Sequence, residues 1–322
     1  MNKLFLTVFL CVIALFAGSC SNEKTAPALK VGAIQWLGYE PFFLARSMDK
    51  YAPDMVKLVE LQSSTDTLRL LREGVLDAGM LTMDEVLGEL ALGTALKVVL
   101  VVDISNGADV LLGKPGLDKL PDLKGKRIGV ENNAVGAVLL NGALKKAGLD
   151  VSEITLVPLT SDEHLSSYMN GRVDAIVTFK PMSNTLLAQG AVKLFDSSEM
   201  PDQIIDVVAV RQDSLAEAAA NIEMLIDGYF SALSYLNQFP KKATDMMSPR
   251  LGISGQEMLA SYDGVLMADR ELNRRLLSGS PSRLAGITIT LQKTLLEAGL
   301  LDHEVSIETL FATQFILGKA AE

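Results

Sequence analysis

Five short stretches of the chain carry the side chains from which a binding or catalytic site would be built. "QWLGYEP" (Gln35–Pro41) puts Trp36, the only tryptophan, and Tyr39 on a loop directly after an apolar run. An aromatic pair in that place suits stacking on a planar or cationic ligand. "LTMDE" (Leu81–Glu85) sets Thr82 and Asp84 at a strand-to-helix turn, where they either cap the helix or touch ligand. "VVLVVDISNGADVLLGK" closes an apolar strand with Asp103, Ser105, Asn106 and Asp109. That density of polar groups fits a ligand contact or a hinge, with Asn106-Gly107 as a tight turn. "GVENNAVGA" offers Glu131 to a ligand amine and Asn132 and Asn133, just before a helix, to an anion. "TFKP" adds Thr178 and Pro181, with Lys180 as the one obvious cation.

Catalytic arrangements are scarce. The two histidines, His164 and His303, have no Cys or Ser partner at a recognisable spacing, and no His/Cys cluster suits a metal. His164 opens an amphipathic stretch and is expected at the surface or as a cap. Carboxylate pairs can be drawn among Asp84, Asp103, Asp109 and Glu131, which keeps acid–base chemistry as an alternative. No phosphate-cradling glycine loop is present, so no nucleotide or other cofactor is expected.

The elements that would position these groups come as a repeat. "GVLDAGMLT" from Gly74 returns as "GRVDAIVT" from Gly171, an offset of 97 residues. "KVGAIQ" from Lys30 returns as "RIGVEN" from Arg127 at the same offset, and "VKLVEL" from Val56 as "ITLVPL" from Ile154 at 98. Each copy reads strand, helix, strand, helix, strand, with Gly74 and Gly171 closing a helix, so two similar α/β lobes are expected. Ligands of such sheets lie beyond the carboxyl ends of strands, where Thr82 and Thr178 would echo one another. Asp77 and Asp174 precede their strands and read as structural. From about Ser214 onward the chain reads as helical.

The chain has 322 residues and a formal charge of −10, which argues against nucleic acid as a partner. Its start reads as a secretory signal, "LFLTVFLCVIALFAGSC", with small residues before Cys20. Cys11 lies inside the segment that would be removed, so Cys20 would be alone in an exported chain and is expected to carry a lipid anchor. The expected division is a signal over 1–19, a tether over 20–28, lobe I over 29–110 plus 207–322, and lobe II over 111–206.

The aromatic loop, "GVLDAGMLTMDE", "DISNGAD", "DLKGKRIGVE" and "VDAIVTFKP" together give the chain a family likeness. It resembles the periplasmic solute-binding proteins of ABC importers in the nitrate/sulfonate/taurine and thiamine-pyrimidine-precursor family. The resemblance covers about Ala28 to Arg211. It implies a two-lobe type II binding-protein fold with mostly parallel sheets, flanking helices and a helical C-terminal segment, crossing between lobes near Leu111 and Asp206. It also implies capture of a small polar or aromatic nutrient by cleft closure and delivery to a membrane permease; with the leader and Cys20, a lipid-anchored monomer outside the cytoplasm is expected. Carried onto this chain, it points to Trp36, Tyr39, Thr82, Asp103, Ser105, Asn106, Glu131, Thr178 and Pro181. Lys180 departs from the acidic residue expected of many relatives, and the cysteine-rich motif of enzymatic relatives is missing. An enzyme on the same fold, such as a lyase of a small carboxylic acid, and a ligand-sensing domain are the alternatives.

Overall fold

The computed structural model describes residues 26–131 and 135–318. Cys20, the leader, Asn132 and Asn133 lie outside the described residues. Within them, no helix is long and apolar enough to cross a membrane.

The first half of the repeat builds one sheet. Strands β1 (Leu29–Ala33), β2 (Val56–Glu60) and β3 (Ala78–Thr82) alternate with helices α1 (Glu40–Ser47) and α2 (Ser64–Arg72). Helix α3 (Met83–Ala91) then leads into β4 (Leu96–Ser105), whose apolar run is buried on both faces. The second half builds another sheet from β5 (Asp109–Gly113), β6 (Arg127–Val130), β7 (Thr155–Pro158), β8 (Ala175–Phe179) and β9 (Val192–Asp196). Between its strands lie α4 (Val135–Ala147), α5 (His164–Met169) and α6 (Met182–Ala188). The chain then re-enters the first sheet as β10 (Ile205–Arg211).

The remainder is helical: α7 (Ala219–Gln238), α8 (Pro240–Leu251), α9 (Gly255–Ser261), α10 (Arg270–Leu277), α11 (Arg283–Glu297) and α12 (Gln314–Leu317). A short strand, β11 (Val265–Met267), interrupts these helices where the sequence reads as helical throughout. It pairs with the end of β4, a tertiary partner that local periodicity does not register. Fully buried Tyr229 of α7 donates to the Val102 carbonyl at 2.7 Å and fixes this layer to the first sheet.

The strand orders are β11-β4-β10-β3-β1-β2 and β7-β6-β8-β5-β9. Of the nine strand pairings among the described residues, four are parallel and five antiparallel, so the sheets are mixed rather than mostly parallel. The reason is the crossovers. Strands β5 and β10 each arrive from the other sheet, so each starts at the edge facing that sheet and runs outward, against β8 and β3.

The repeated Gly-x-x-Asp-Ala is scaffold chemistry. Asp77 accepts the Lys30 N–H at 2.8 Å, and Asp174 accepts the Arg127 N–H at 3.0 Å, so each carboxylate holds the opening of its first strand. Gly74 and Gly171 take φ of +69° and +75°, which permits the reversal before each Asp. Asp174 also grips the Arg127 guanidinium, with contacts of 3.0 and 2.7 Å, and that pairing holds its carboxyl down at about 2. Asp174→Ala should therefore cost about 2 kcal/mol and Asp77→Ala about 1, read from urea unfolding midpoints. Equal losses would mean the Arg127 pair adds nothing.

Candidate functional site

Three neighbouring strands of the first sheet present polar side chains in one row. Asp206 on β10 stands opposite Thr82 on β3 and opposite Asp103 on β4. Directly opposed residues of antiparallel strands share a face, so the three lie side by side. The aromatic loop after β1 closes over them. Trp36 Nε1 donates to Asp103 Oδ2 at 3.1 Å, and the Tyr39 hydroxyl donates to Asp206 Oδ1. Gly38, between the two aromatics, allows that approach, since a Cβ there would sit 1.7 Å from Asp103 Oδ2.

The second sheet answers with its own row. Asp109, the first residue of β5, is opposite Phe179, the last residue of β8. Glu131 follows β6, and its Oε1 accepts the Thr65 hydroxyl of α2 at 3.2 Å. That bond crosses between the lobes, as does Ser161 Oγ to the Gln62 carbonyl at 3.1 Å. Trp36 and Phe179 meet edge to face across the cleft with centroids 5.6 Å apart. The lobes are shut. Between them lies a cavity of about 30 Å³, lined from the first lobe by Trp36, Tyr39, Thr82, Glu85 and Asp206 and from the second by Asp109, Glu131 and Phe179. A second space of about 100 Å³ beyond Phe179 is edged by Gln35, Gln62, Ser161, Asp162 and Arg250.

Around the inner cavity six carboxyls are buried: Asp84, Glu85, Asp103, Asp109, Glu131 and Asp206. Burial, which penalises the charged form, dominates at each. It pushes Asp84 up to about 6, and Asp109 and Glu131 to about 7. Glu85 rises to about 8, with the Asp84 charge adding to its burial. Asp103 and Asp206 face one another across β4 and β10, and both are raised by burial and then by charges near them. Tyr39 is pushed far up by burial and then by Asp206, so it stays a phenol and a donor.

The expected site residues separate into three groups. Trp36, Tyr39, Thr82 and Glu131 reach the cavity. Asp84 and Asp103 are buried behind that lining, Asp103 against Trp36. The others serve elsewhere. Ser105 Oγ bonds Ser197 Oγ at 2.8 Å and accepts the Asp109 N–H at 3.2 Å, stitching the two crossovers together. Asn106 is exposed beside them, with its N–H on the Gly264 carbonyl at 2.8 Å. Half-buried Pro181 lies beyond the cavity lining, and Lys180 donates to the Asp263 carbonyl rather than to the cavity.

Thr178 is not the echo of Thr82. The constant offset of 97 carries Thr82 onto Phe179, because "GMLT" is one residue longer than "IVT". A one-residue slip in a strand exchanges faces, so Phe179 takes the cleft and Thr178 turns inward to His164 Nδ1 at 3.2 Å. His164 is accordingly not at the surface; it is buried, and burial pushes its pKa down to about 4. Glu85, Phe179 and Asp206 are cavity residues that sequence reasoning did not single out. Asp206 opens a strand instead of closing one, and the expectation looked only at carboxyl ends.

Comparison with known proteins places this geometry. A model described as the NMT1-like family matches residues 22–249. A candidate binding protein of Brucella abortus (strain 2308) is 25% identical over 178 residues, 54% of this chain and 56% of that protein. A candidate aliphatic-sulfonate-binding protein of Escherichia coli K12 is 26% identical over 178 residues, 53% and 55% of the two chains. The chain thus matches little more than half the length of these relatives. Among solved structures, the alkanesulfonate-binding protein SsuA of Xanthomonas axonopodis pv. citri, bound to MOPS, superposes with a TM-score of 0.76 at 18% identity. That superposition covers 88% of this chain and 97% of the other and establishes the two-lobe periplasmic-binding-protein fold.

Proposed function

The chain belongs to the NMT1-like family, and from that membership and the shut cleft we propose that it is the extracytoplasmic substrate-binding protein of an ABC importer. The lobe built on the first sheet, which takes in Asp206, and the lobe built on the second, which takes in Asp109, would close on a small polar or aromatic nutrient and hand it to a permease, so the boundaries fall in the 105–109 and 196–205 connections rather than at 110/111 and 206/207. Cys20 would tether the protein to the membrane as a lipid-anchored monomer. The observation that carries the reading is convergence: polar groups and aromatic rings from both lobes line one enclosed space, and Thr65–Glu131 and Trp36–Phe179 bridge it. Ligand binding by such a clamp favours the closed state through contacts made only when both lobes are engaged. A larger groove of about 1070 Å³ lies between α4 and α11, but it lacks this convergence of buried polar groups, its buried lining being apolar and its charged side chains exposed.

Thermal unfolding against sulfonates, nitrate, bicarbonate, pyrimidines, amino acids and polyamines tests the reading. A ligand at about 100 times its Kd adds roughly 2.7 kcal/mol and should raise the midpoint by several degrees. Trp36→Ala should erase most of that rise, because it removes the ring that meets Phe179 and frees Asp103. A Trp36→Ala protein that keeps the full rise would move the site out of this cleft. Raised carboxyl pKa values also suit acid–base catalysis, so a lyase is the second reading. Recovery of the ligand unchanged separates capture from turnover.

A further inference from the structure

We propose that the cleft receives a small organic cation bearing N–H donors, an alkylammonium or amidinium, an assignment that rests on the binding reading above. Glu85 and Asp206 from one lobe and Asp109 and Glu131 from the other surround the inner cavity, and among the described residues no Lys, Arg or His lines it. All four side chains are more than nine-tenths buried. Crowded acids alone do not make a site. The independent sign is unmet bonding: Glu85 Oε1 and Thr82 Oγ1, in residues buried to the same degree, have no hydrogen-bond partner among the described residues. Buried acceptors are costly to leave unpaired, and both line the same space.

The nearby cations are committed elsewhere. Arg250 pairs with Glu40 at 3.1 Å and stacks 3.6 Å over the Phe43 ring, on the far side of Phe179 from these carboxyls. Lys180 is tied to the Asp263 carbonyl. His164 lies behind Phe179 against Thr178. Among the described residues, no group of three or more His, Cys, Asp or Glu is placed to hold a metal ion, which directs the choice to an organic cation. Trp36 and Phe179 supply ring faces and edges that an ammonium or its carbon frame can use. A sulfonate in the same place would require every surrounding carboxyl to stay protonated.

Because the free site holds protons on these carboxyls, capture of a cation releases protons to solvent, whereas capture of an anion takes them up. Tyr39 stays a neutral donor to Asp206, and Asp84 and Asp103 behind the lining titrate with the set. Benzylamine and benzenesulfonate, one ring with opposite charges, are to be titrated calorimetrically into the protein at pH 6 and pH 8, in two buffers of different ionisation enthalpy. Benzylamine should bind with proton release and about tenfold more tightly at pH 8, one proton over the carboxyl range. Glu131→Gln should weaken it about tenfold, the scale of one lost charge-assisted bond. Benzenesulfonate binding with proton uptake, and benzylamine silent, overturns the cationic assignment and leaves small-ligand capture standing. If both are silent, methylammonium against methanesulfonate decides on the same terms, and silence of all four removes both assignments.

Discussion

Gly38→Ala is expected to unfold the cleft's first lobe edge and abolish ligand capture. The added methyl would lie 1.7 Å from Asp103 Oδ2 and 2.6 Å from both Asp103 Cγ and Trp36 Nε1. None of these can step aside cheaply. Asp103 is fully buried, is held by Trp36, and stands against Asp206 in the next strand. Overpacking costs about 1–3 kcal/mol, and losing a buried bond to a carboxylate about 1.5–3 more. A loss of about 3–5 kcal/mol by chemical denaturation is therefore expected, together with loss of any ligand-induced rise in midpoint. Gly88 in α3 is the control, because a Cβ there meets nothing within 4 Å. Gly88→Ala should hold or raise stability by up to about 1 kcal/mol, the helix preference for alanine. Matching stabilities for the two variants would show that Gly38 is not where the loop locks.

The second large effect is an inverted pH dependence. The cluster's carboxyls titrate higher in the folded chain than in the unfolded chain, so the folded state binds more protons between the two ranges. Their contribution is full below about pH 4, the ordinary carboxyl range, and is lost as pH rises through about 6 to 8. For Asp84, raised from 3.8 to about 6, the shift alone corresponds to about 3 kcal/mol. Such contributions do not add across neighbours this close.

His164 acts in the opposite sense: with its pKa lowered to about 4, its contribution is present above 6.5 and fades as pH falls. The melting midpoint of the protein without added ligand should thus peak near pH 4, where the single His164 contribution is outweighed by the carboxyls, and fall by about 5 °C or more by pH 8. Asp206→Asn keeps the shape of a group whose charged form is opposed by burial and by the neighbouring Asp103. It should melt several degrees above the parent protein at pH 8, with the gap closing toward pH 4, while weakening cation capture. A parent midpoint that holds or rises from pH 5 to pH 8 would mean that the carboxyls carry no such burden.

Much of the scaffold is legible in the residues alone. The offset of 97 is a statement about register: Val31 pairs with Ala78 as Ile128 pairs with Ala175, and Asp77 and Asp174 hold equivalent N–H groups. Strand spacing, helix-closing glycines and strand-opening aspartates are local features, so they repeat wherever the fold repeats. The aromatic loop is legible for the same reason, since Trp36 and Tyr39 follow directly on the strand that carries them to the cleft edge.

What local pattern cannot reach is which residues meet across strands far apart in sequence. Asp103 and Asp206 become neighbours only because β10 returns between β3 and β4. Asp109, the first residue of β5, and Asp206, the second of β10, enter the cleft on strands that run outward after a crossover, a direction set by topology. One residue of slip between "GMLT" and "IVT" decides that Phe179 faces the cavity and Thr178 faces His164. The sequence by itself determined two lobes and the acidity of the segments between them. The tertiary structure decided that those acids share one enclosed space with no Lys, Arg or His among its described lining, because the two crossovers and the returning strand β10 bring distant segments to the same cleft.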